Sequence, residues 1–358
     1  MIDGHNRHVK ELLRTVIPDS ALQGYKMARW RISARSPTRG ADRWGSFKSL
    51  AAQQRAKGAQ EYGKFLVKAD PTLQLPKLDA PHFVGEGFGD FNLNLYRAGE
   101  LSGKLVFEKI YFSGSDPLCK TEWFHDTVLP FVGTSIWTPP LLSKSCGSCL
   151  TALYFSFSEL GEPTPIDALL QTAIALQRAT SGFIWTESYS AIRDFRGDYF
   201  YLKHRAALLS ILSQNGNELG DVSKLEDFLL RDETPHQFSH GDLSPENVRA
   251  CGTIIDFDHC GYYPAGYDYG AILRYSQTPA NVVELEVLVE RNLAPDCKLT
   301  QLSILFFMAI FSSIGATRKI AGQPDETFII HLWNCILARF ERQNAEGGRA
   351  APQEMRFP

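Results

Sequence analysis

The sequence predicts an α+β protein built from a small β-rich lobe and a larger α-helical lobe, with a basic helical extension in front of them. The length of 358 residues is enough for two lobes or two domains. Short β-rich runs begin at Pro81, and long stretches with helical periodicity follow Gly161. With 44% hydrophobic and 22% charged residues, the composition excludes a disordered, collagen-like or coiled-coil chain. We therefore place the two lobes at residues 81–157 and 158–358.

The extension, residues 1–80, differs in charge from the rest of the chain. It carries 15 Lys and Arg against 7 Asp and Glu, a net charge of +8, whereas the remainder carries 22 against 33, a net charge of −11. Residues 26–57 hold nine basic residues and one acid, with Trp30, Trp44 and Phe47 between them. Such a segment could bind RNA or an anionic membrane. Because no nucleic-acid motif accompanies the charge, we favour a solvated flap that packs its aromatic side chains on the main body.

Helices are predicted within the extension, and a hairpin is predicted in the small lobe. Apolar residues at helical spacing indicate helices over His8–Val16 and Ala51–Val67. Two β-rich runs follow, Leu93–Ala98 and Lys104–Tyr111. The sequence Gly-Glu-Leu-Ser-Gly lies between them and predicts the turn of a hairpin.

The rest of the small lobe reads as a helix and a second pair of strands. Residues Asp116–Val128 predict a helix that Pro130 should end. Two prolines then precede a strand pair that turns around Cys146–Cys149, and the second strand is Leu150–Phe157. The segment Phe157–Pro163 is the predicted crossing between the lobes.

The large lobe should open on an amphipathic helix. Thr164 is a suitable N-cap, Pro165 suits the first helical position, and Asp167 favours the positive end of the helix dipole. The helix should end before Gly182. It would bury a stripe formed by Leu169, Leu170, Ala173 and Leu176.

The most informative segment begins in the middle of the large lobe. Residues 238–248 read Phe-Ser-His-Gly-Asp-Leu-Ser-Pro-Glu-Asn-Val, which contains the spacing H-x-D-L-x-x-x-N of a kinase catalytic loop. Phosphoryl transfer requires a carboxylate near the attacking hydroxyl and oxygen ligands for Mg²⁺. Asp242 could be that carboxylate, while Asn247 and Asp256 offer the oxygen ligands that Mg²⁺ prefers. A hairpin over residues 248–255 would bring the two halves of this site together.

These residues resemble the aminoglycoside phosphotransferase and choline kinase branch of the protein-kinase-like fold. Gly241 stands where protein kinases prefer Arg, and Ile255-Asp256-Phe257 replaces Asp-Phe-Gly. The sequence Pro-Ala-Gly-Tyr-Asp-Tyr-Gly at 264–270 also resembles this family. The resemblance implies a bilobal kinase-like fold over residues 81–340, with ATP and Mg²⁺ as cofactors. It further implies that Asp242 is catalytic and that Asn247 and Asp256 bind the metal.

The small lobe contains a glycine-rich segment that could lie over a nucleotide. Gly85, Gly87 and Gly89 are spaced Gly-x-Gly-x-Gly and lead into a strand. Glycines allow backbone N–H groups to approach phosphate oxygens. The spacing departs from the Gly-x-Gly-x-x-Gly of protein kinases, and an ordinary turn is the alternative interpretation. A P-loop is excluded because G-x-x-x-x-G-K-[ST] is missing from the sequence.

The resemblance places a phosphate-binding lysine on the third strand, and Lys109 lies there. A lysine among apolar neighbours is costly unless it pairs with a phosphate or a carboxylate. Glu122 on the following helix is the preferred partner, and Asp126, one turn later, is the alternative. Lys104 competes with Lys109 but lies nearer the hairpin turn.

Three further features bear on the site. Residues 156–160 would form the hinge whose backbone binds the adenine edge. His240 is interpreted as a structural loop histidine. Asp258 is either a substrate contact or a solvated acid, and the second interpretation is favoured. The pair Cys146 and Cys149 is interpreted as part of a hairpin turn, because a second cysteine pair, which a structural zinc site usually needs, is missing.

Several function classes are excluded or disfavoured. No H-E-x-x-H or G-x-S-x-G motif supports a hydrolase. The apolar run that starts at Ile304 is shorter than the ~20 residues that a bilayer span requires. Seven cysteines in this length form no disulfide framework, and no secretory signal opens the chain. We therefore expect a cytoplasmic protein.

Taken with the resemblance, the sequence predicts a kinase that phosphorylates a hydroxyl group of a small molecule. The excess of acids in the large lobe favours a cationic acceptor, such as an amino sugar or an amino alcohol. One alternative is a kinase of RNA or protein that docks through the basic extension. The other is a nucleotide-binding pseudokinase, which is disfavoured because Lys109, Asp242, Asn247 and Asp256 are all present.

Overall fold

The computed structural model describes residues 54, 57–85, 96–157, 162–183, 190–275 and 281–347. Several predicted features lie outside the described residues: the helix over His8–Val16, nearly all of the basic segment 26–57, the glycines Gly87 and Gly89, and most of the hinge at 156–160.

The chain divides into two compact units. The first unit is Met1–Leu118 with Pro139–Glu159, and the second is Cys119–Thr138 with Leu160–Pro358. From its sequence we assigned Cys119–Thr138 to the small lobe, whereas this segment groups with the second unit. The reason is packing, because the apolar side chains of this segment, Trp123 among them, belong to the helical core.

The first unit contains a five-stranded antiparallel sheet. The strands lie in the order β1-β2-β3-β5-β4 across the sheet. The hairpin β2–β3 and the hairpin β4–β5 lie side by side, with β3 paired to β5. Both predicted hairpins are therefore present. The strands are β1 (Asp79–Gly85), β2 (Tyr96–Leu101), β3 (Lys104–Phe112), β4 (Leu141–Cys146) and β5 (Leu150–Ser156).

The turn between β2 and β3 is tighter than the sequence suggested. It consists of Ser102 and Gly103, whose φ angles of 53° and 75° are those of a two-residue hairpin turn with both residues left-handed. Gly99, expected in the turn, instead pairs with Val106 inside the ladder. A Cβ on Gly99 would lie 2.9 Å from the carbonyl oxygen of Asp79, so the close approach of β1 explains this glycine.

Helix α1 (Ala59–Ala69) packs on one face of the sheet. Its buried side chains include Tyr62 and Leu66, which join Val106 and Ile110 of β3 in one apolar cluster. The helix predicted over Ala51–Val67 is thus present in its second half, and it extends two residues further. Although the sequence analysis separated residues 1–80 from the small lobe, this helix forms part of the core of the first unit.

The turn that holds the two cysteines is organised by Asp70. One carboxylate oxygen of Asp70 accepts the backbone N–H groups of Cys149 at 2.7 Å and Leu150 at 2.9 Å, and the other accepts the Ser148 hydroxyl at 3.1 Å. Although burial opposes ionisation, the Thr72 hydroxyl, which donates to Asp70 at 2.6 Å, and these three donors hold the pKa of Asp70 below its usual range. Cys146 and Cys149 are both free thiols, as expected for a hairpin turn.

The helix after β3 does not end at Pro130 as predicted. Helix α2 (Asp116–Trp123) continues through a π turn, residues 124–128, into α3 (Leu129–Val132). In the π turn the N–H of Leu129 bonds to the carbonyl of Phe124, five residues earlier. Pro130 is therefore in the first turn of α3, where its missing N–H is tolerated.

The second unit is mainly helical. Its first long helix begins one residue later than predicted, because the N–H of Thr164 donates to the carbonyl of Val248 and Pro165 takes the N-cap position. The helices are α4 (Ile166–Thr180), α5 (Ser190–Arg193), α6 (Tyr199–Gln214), α7 (Gly220–Leu229), α8 (Tyr267–Leu273), α9 (Val282–Leu288), α10 (Lys298–Arg318) and α11 (Glu326–Gly347). Two short strands, β6 (His236–Ser239) and β7 (Gly261–Pro264), pair antiparallel.

Helix α10 lies at the centre of the second unit. It is longer than the apolar run seen in the sequence, and by length and composition alone it could span a membrane. Within its most apolar window, however, 83% of the residues are buried inside the protein, as in the core helix of a globular domain. The elements of the two units together confirm the predicted α+β class, with a smaller β-rich part and a larger helical part.

Candidate active site

The loop that carries Asp242 is hydrogen-bonded at its start to a buried carboxylate. After β6, the N–H groups of His240 and Gly241 donate to the two oxygens of Asp268, at 2.8 and 3.0 Å. Asp268 lies in the first turn of α8 and is 1% exposed. Burial raises the pKa of this carboxyl group above its usual value. The two N–H groups therefore tie the start of the catalytic loop to α8.

His240 is a structural residue, as expected. Its Nε2 lies 2.9 Å from the carbonyl oxygen of Ile255, and its Nδ1 accepts the N–H of Asp242 at 3.3 Å. A carbonyl can only accept and an amide N–H can only donate, so Nε2 is the donor and Nδ1 the acceptor. Both nitrogens are occupied, and the imidazole joins the two halves of the loop.

The backbone segments that carry the predicted metal ligands lie side by side. The side-chain nitrogen of Asn247 donates to the backbone oxygen of Asp242 at 2.9 Å, and it lies 3.3 Å from Oδ2 of the same residue. The backbone oxygen of Asn247 accepts the N–H of Ile255 at 2.9 Å, and Val248 pairs with Ile254. This short hairpin was predicted, and it places Asp256 next to the Asn247 backbone.

The donors of this cluster fit a magnesium ion bound together with phosphates. Because the amide nitrogen of Asn247 is held by Asp242, the amide oxygen remains as the donor, and Asp256 adds a carboxylate. Mg²⁺ takes one or two such oxygens from protein and the rest from water and phosphate. In the described part of the chain, no three His, Cys, Asp or Glu side chains gather into a metal site of their own.

Asp256 has a backbone conformation that is rare for residues other than glycine. Its φ and ψ are 67° and 63°, in the left-handed region. Such strain persists where the surroundings impose it, commonly at functional sites. Here the packing of the next residue supplies the constraint: the ring of Phe257 stacks on Phe124 with centroids 3.5 Å apart, and the His240 ring lies 4.7 Å away.

Asp258 differs from its prediction as a solvated acid. It is 4% exposed, and its carboxylate accepts the hydroxyl of Thr121 on α2 at 2.9 Å. The left-handed Asp256 and the following 3-10 turn lead the chain into Asp258, whose side chain is buried.

Arg274, at the end of α8, forms an ion pair with Asp242. Its Nη2 donates to Oδ1 of Asp242 at 3.0 Å and to the Tyr275 hydroxyl at 2.6 Å. The guanidinium lies over the rings of Phe200, Tyr275 and Phe311 at 4.8, 4.5 and 5.7 Å, and the side chain is 6% exposed. A planar cation held on every side fixes the carboxylate that it contacts.

Beside this pair, Asp198 holds two cations. Its Oδ2 lies 2.5 Å from Nζ of Lys120, and both of its oxygens lie 3.2 Å from Nδ1 of His259. Burial opposes the ionisation of Asp198, but the two cations outweigh it and hold the pKa well below its usual range. Burial alone would lower the pKa of His259, yet Asp198 raises it to about 9. His259 is therefore an imidazolium at neutral pH.

The remaining predicted residues are divided between the two units. Lys109 is 5% exposed on β3, with its Nζ 5.1 Å from the Tyr111 ring centroid, whereas Lys104 is exposed beside the turn. Gly85 is the last residue of β1. Glu122 is half-buried in the second unit, and its pairing with Lys109 stays a prediction.

Arg274, His259 and Asp198 were missed by sequence reasoning. Arg274 follows the buried sequence Gly-Ala-Ile-Leu. A charged residue directly after an apolar run was the one signal in the sequence that could have indicated a buried ion pair. Asp198 serves as the N-cap of α6, which the sequence could have indicated. Nothing local to His259 points to its partner, which lies 61 residues away.

Residues 163–296 match the family model described as the phosphotransferase enzyme family. The match confirms the resemblance seen in the sequence over this segment, which contains Asp242, Asn247 and Asp256. No curated protein sequence matches the chain.

Solved structures similar to this chain are distant. An aminoglycoside 2′-phosphotransferase of type IIIa in its GDP complex is 16% identical, with 79% of this chain and 98% of that chain covered and a TM-score of 0.45. A choline kinase from Streptococcus pneumoniae is 14% identical, with 74% and 95% covered and a TM-score of 0.42. A putative fructosamine-3-kinase from Haemophilus somnus is 12% identical, with 81% and 96% covered and a TM-score of 0.41.

Proposed function

We propose that this protein is a phosphotransferase that uses ATP and Mg²⁺ and transfers the γ-phosphate to a hydroxyl group of a small molecule. The observation that carries the proposal is the clustering of Asp242, Asn247 and the Asp256 segment, joined by the hydrogen bonds described above. A carboxylate beside two oxygen ligands is what phosphoryl transfer requires of a protein. The family match over residues 163–296 supports the same reaction class.

The roles of the residues follow from their contacts. Arg274 donates to Oδ1 of Asp242, and the Asn247 amide lies 3.3 Å from Oδ2. A carboxylate oxygen can accept more than one hydrogen bond, so Oδ2 would also accept that of the acceptor hydroxyl. As the acceptor oxygen bonds to the γ-phosphorus, the bond from phosphorus to the bridging oxygen breaks. The hydroxyl proton passes to Asp242, and ADP leaves. Asn247 and Asp256 would hold Mg²⁺, which supplies neutralisation of the charge on the phosphate oxygens.

Lys109 would orient the α- and β-phosphates of the nucleotide. It is buried on β3 between Tyr96 and Tyr111, with its Nζ 5.7 and 5.1 Å from their ring centroids. Gly85, Gly87 and Gly89 would lie over the phosphates, and this part of the assignment depends on the resemblance alone.

The test is ADP release measured with a panel of hydroxyl compounds, with and without Mg²⁺. We expect one class of acceptor to stimulate release, and Asp242→Asn to lower turnover by about 10²–10⁴-fold while ATP binding is retained. Asp232→Asn makes the same chemical change at a carboxylate whose side chain is 91% exposed, and it should leave turnover unchanged.

Each other outcome has a definite meaning. Full activity in Asp242→Asn would refute the assignment of Asp242. ATP binding without release for any acceptor would favour a macromolecular acceptor or a nucleotide-binding pseudokinase. The absence of both ATP binding and turnover would refute the proposed function.

A further inference from the structure

A chain of buried hydrogen bonds runs from Lys120 to the carbonyl of His259. Lys120 is 2% exposed, and its ammonium donates to Asp198 and to the Tyr263 hydroxyl, which lies 2.8 Å away. The oxygen of that hydroxyl lies 3.1 Å from the carbonyl oxygen of His259 and 3.4 Å from that of Cys260. An ammonium can only donate and a carbonyl can only accept. The hydroxyl therefore accepts from Lys120 and directs its own proton toward these carbonyls.

The same cluster holds the side chain of His259. Asp198 caps α6, and its carboxylate contacts both the Lys120 ammonium and Nδ1 of the His259 ring. Residue 259 is thus fixed at its ring by Asp198 and at its carbonyl by Tyr263. Lys120 donates to both of these partners, so its removal would loosen both contacts at once.

The carbonyl of His259 lies against the backbone of the catalytic loop. A Cβ on Gly241 would lie 1.9 Å from this carbonyl oxygen, so the Cα of Gly241 is in contact with it. Gly241 directly precedes Asp242, whose N–H is held by His240. A close-packed interior has no gap that could absorb a shift of the His259 carbonyl, so the shift would reach the backbone of Asp242.

Stability alone does not account for a buried lysine at this place. Replacing a buried ion pair by apolar residues of similar volume is often neutral or stabilising, because desolvation of the charges offsets their attraction. What an apolar side chain could not provide is direction. The Lys120 ammonium orients the Tyr263 hydroxyl, and that hydroxyl holds the His259 carbonyl.

We propose that Lys120, acting through Tyr263, is a positioning residue that holds the His259 carbonyl against Gly241 and so fixes Asp242 for the transfer step. The inference rests on the proposed function and adds to it a residue of α2. Because Lys120 is buried, it acts by restricting the loop backbone and not by contact with a substrate.

The first test compares Tyr263→Phe with Tyr267→Phe. Both tyrosines are 0% exposed and their rings lie 4.7 Å apart, but in the described part of the chain the Tyr267 hydroxyl has no hydrogen-bond partner. Each substitution removes one buried hydroxyl and keeps the ring. We expect Tyr263→Phe to lower kcat by about tenfold with KM for ATP unchanged, and Tyr267→Phe to keep the kcat of the unmodified protein. An unchanged kcat in Tyr263→Phe, or the same decrease in both variants, would overturn the inference.

The second test asks whether Tyr263 acts through Lys120. If it does, adding Tyr263→Phe to Lys120→Met should lower kcat no further, because residues that act as one unit have non-additive effects. Independent, multiplying losses would overturn the inference. If Lys120→Met does not fold, the background becomes Lys120→Met with Asp198→Asn, since asparagine keeps the helix cap and removes the unpaired charge.

Hydrogen exchange of the Asp242 amide gives a readout that needs no acceptor. Exchange should be faster in Tyr263→Phe and unchanged in Tyr267→Phe, while the amides of α10 keep their protection in both variants. Faster exchange without turnover of any acceptor would support the contact with the loop and locate the failure in the proposed function. Equal exchange of the Asp242 amide in the two variants would overturn the inference, whether or not an acceptor is turned over.

Discussion

The buried ion pair between Arg97 and Glu108 should stabilise the first unit in a way that can be measured. The two residues face each other directly across β2 and β3. Their side chains are 5% and 0% exposed, and two parallel hydrogen bonds of 2.7 Å join them. A third guanidinium nitrogen donates to the carbonyl of Ala59 at 2.9 Å, and the Tyr154 hydroxyl donates to Glu108 at 2.9 Å.

The substitution Arg97→Met leaves the Glu108 carboxylate buried. Of the donors named above, it keeps only the Tyr154 hydroxyl. Removing one partner of a buried pair costs about 3–5 kcal/mol, and loss of the bond to the Ala59 carbonyl adds about 1 kcal/mol. The double substitution Arg97→Met with Glu108→Leu removes both charges, so it should recover about 2 kcal/mol or more of that loss.

Native-state hydrogen exchange of the β3 amides, Lys104–Phe112, measures the opening free energy of the sheet without requiring that the whole chain unfold in two states. The control is Lys77→Met, since its ion pair with Asp79 has exposed side chains and should contribute nothing measurable. The reasoning would be refuted if Arg97→Met cost less than about 1 kcal/mol, or if the double variant were no more stable than the single one.

Three further predictions follow from the second unit. Arg274→Met should lower kcat by about 10²-fold with KM for ATP unchanged, because Asp242 loses the group that orients it. Arg274→Lys should restore part of the rate. Equal kinetics in the unmodified protein and both variants would show that Asp242 is held by other contacts. Asp256→Ala should weaken ATP binding in the presence of Mg²⁺ but not in its absence, measured by calorimetry, and equal weakening in both conditions would contradict a metal ligand. Burial lowers the pKa of His125 from 6.5 to about 4, so the unfolded chain binds more protons between these values. Stability should therefore decrease as the pH falls from 6.5 to 4, and urea unfolding should show a weaker dependence in His125→Gln; identical slopes would disprove the attribution.

Much of the catalytic loop could be predicted from its sequence because its chemistry is local. Asp242 and Asn247 are five residues apart, and a short hairpin returns the chain to Asp256. The turn residues Cys251-Gly252 and the apolar strand end before Asp256 are enough to predict that return. The two hairpins of the sheet were predictable for the same reason, since each joins strands that are neighbours along the chain. Strand β1 and the pairing of β3 with β5 were not predicted.

The residues that were missed depend on partners far away in the sequence. Arg274 meets Asp242 across 32 residues, and His259 meets Asp198 across 61. The π turn in the helix after β3 was also not predictable, because a widened turn leaves no signature in apolar spacing. Local pattern therefore predicted which residues lie together in the loop, whereas their ion-pair partners depend on tertiary packing.

Gly241 has no room for a side chain, and this restricts which substitutions the loop can accept. Its φ is 88°, and a Cβ on this residue would overlap the backbone carbonyl of His259. The arginine that protein kinases prefer at this position therefore cannot be introduced alone, because even its first side-chain atom has no room. An evolutionary path between the two loop types must move the backbone at residue 259 at the same time, and it would displace His259 as it did so. The effect of any substitution at Gly241 therefore depends on the backbone at residue 259.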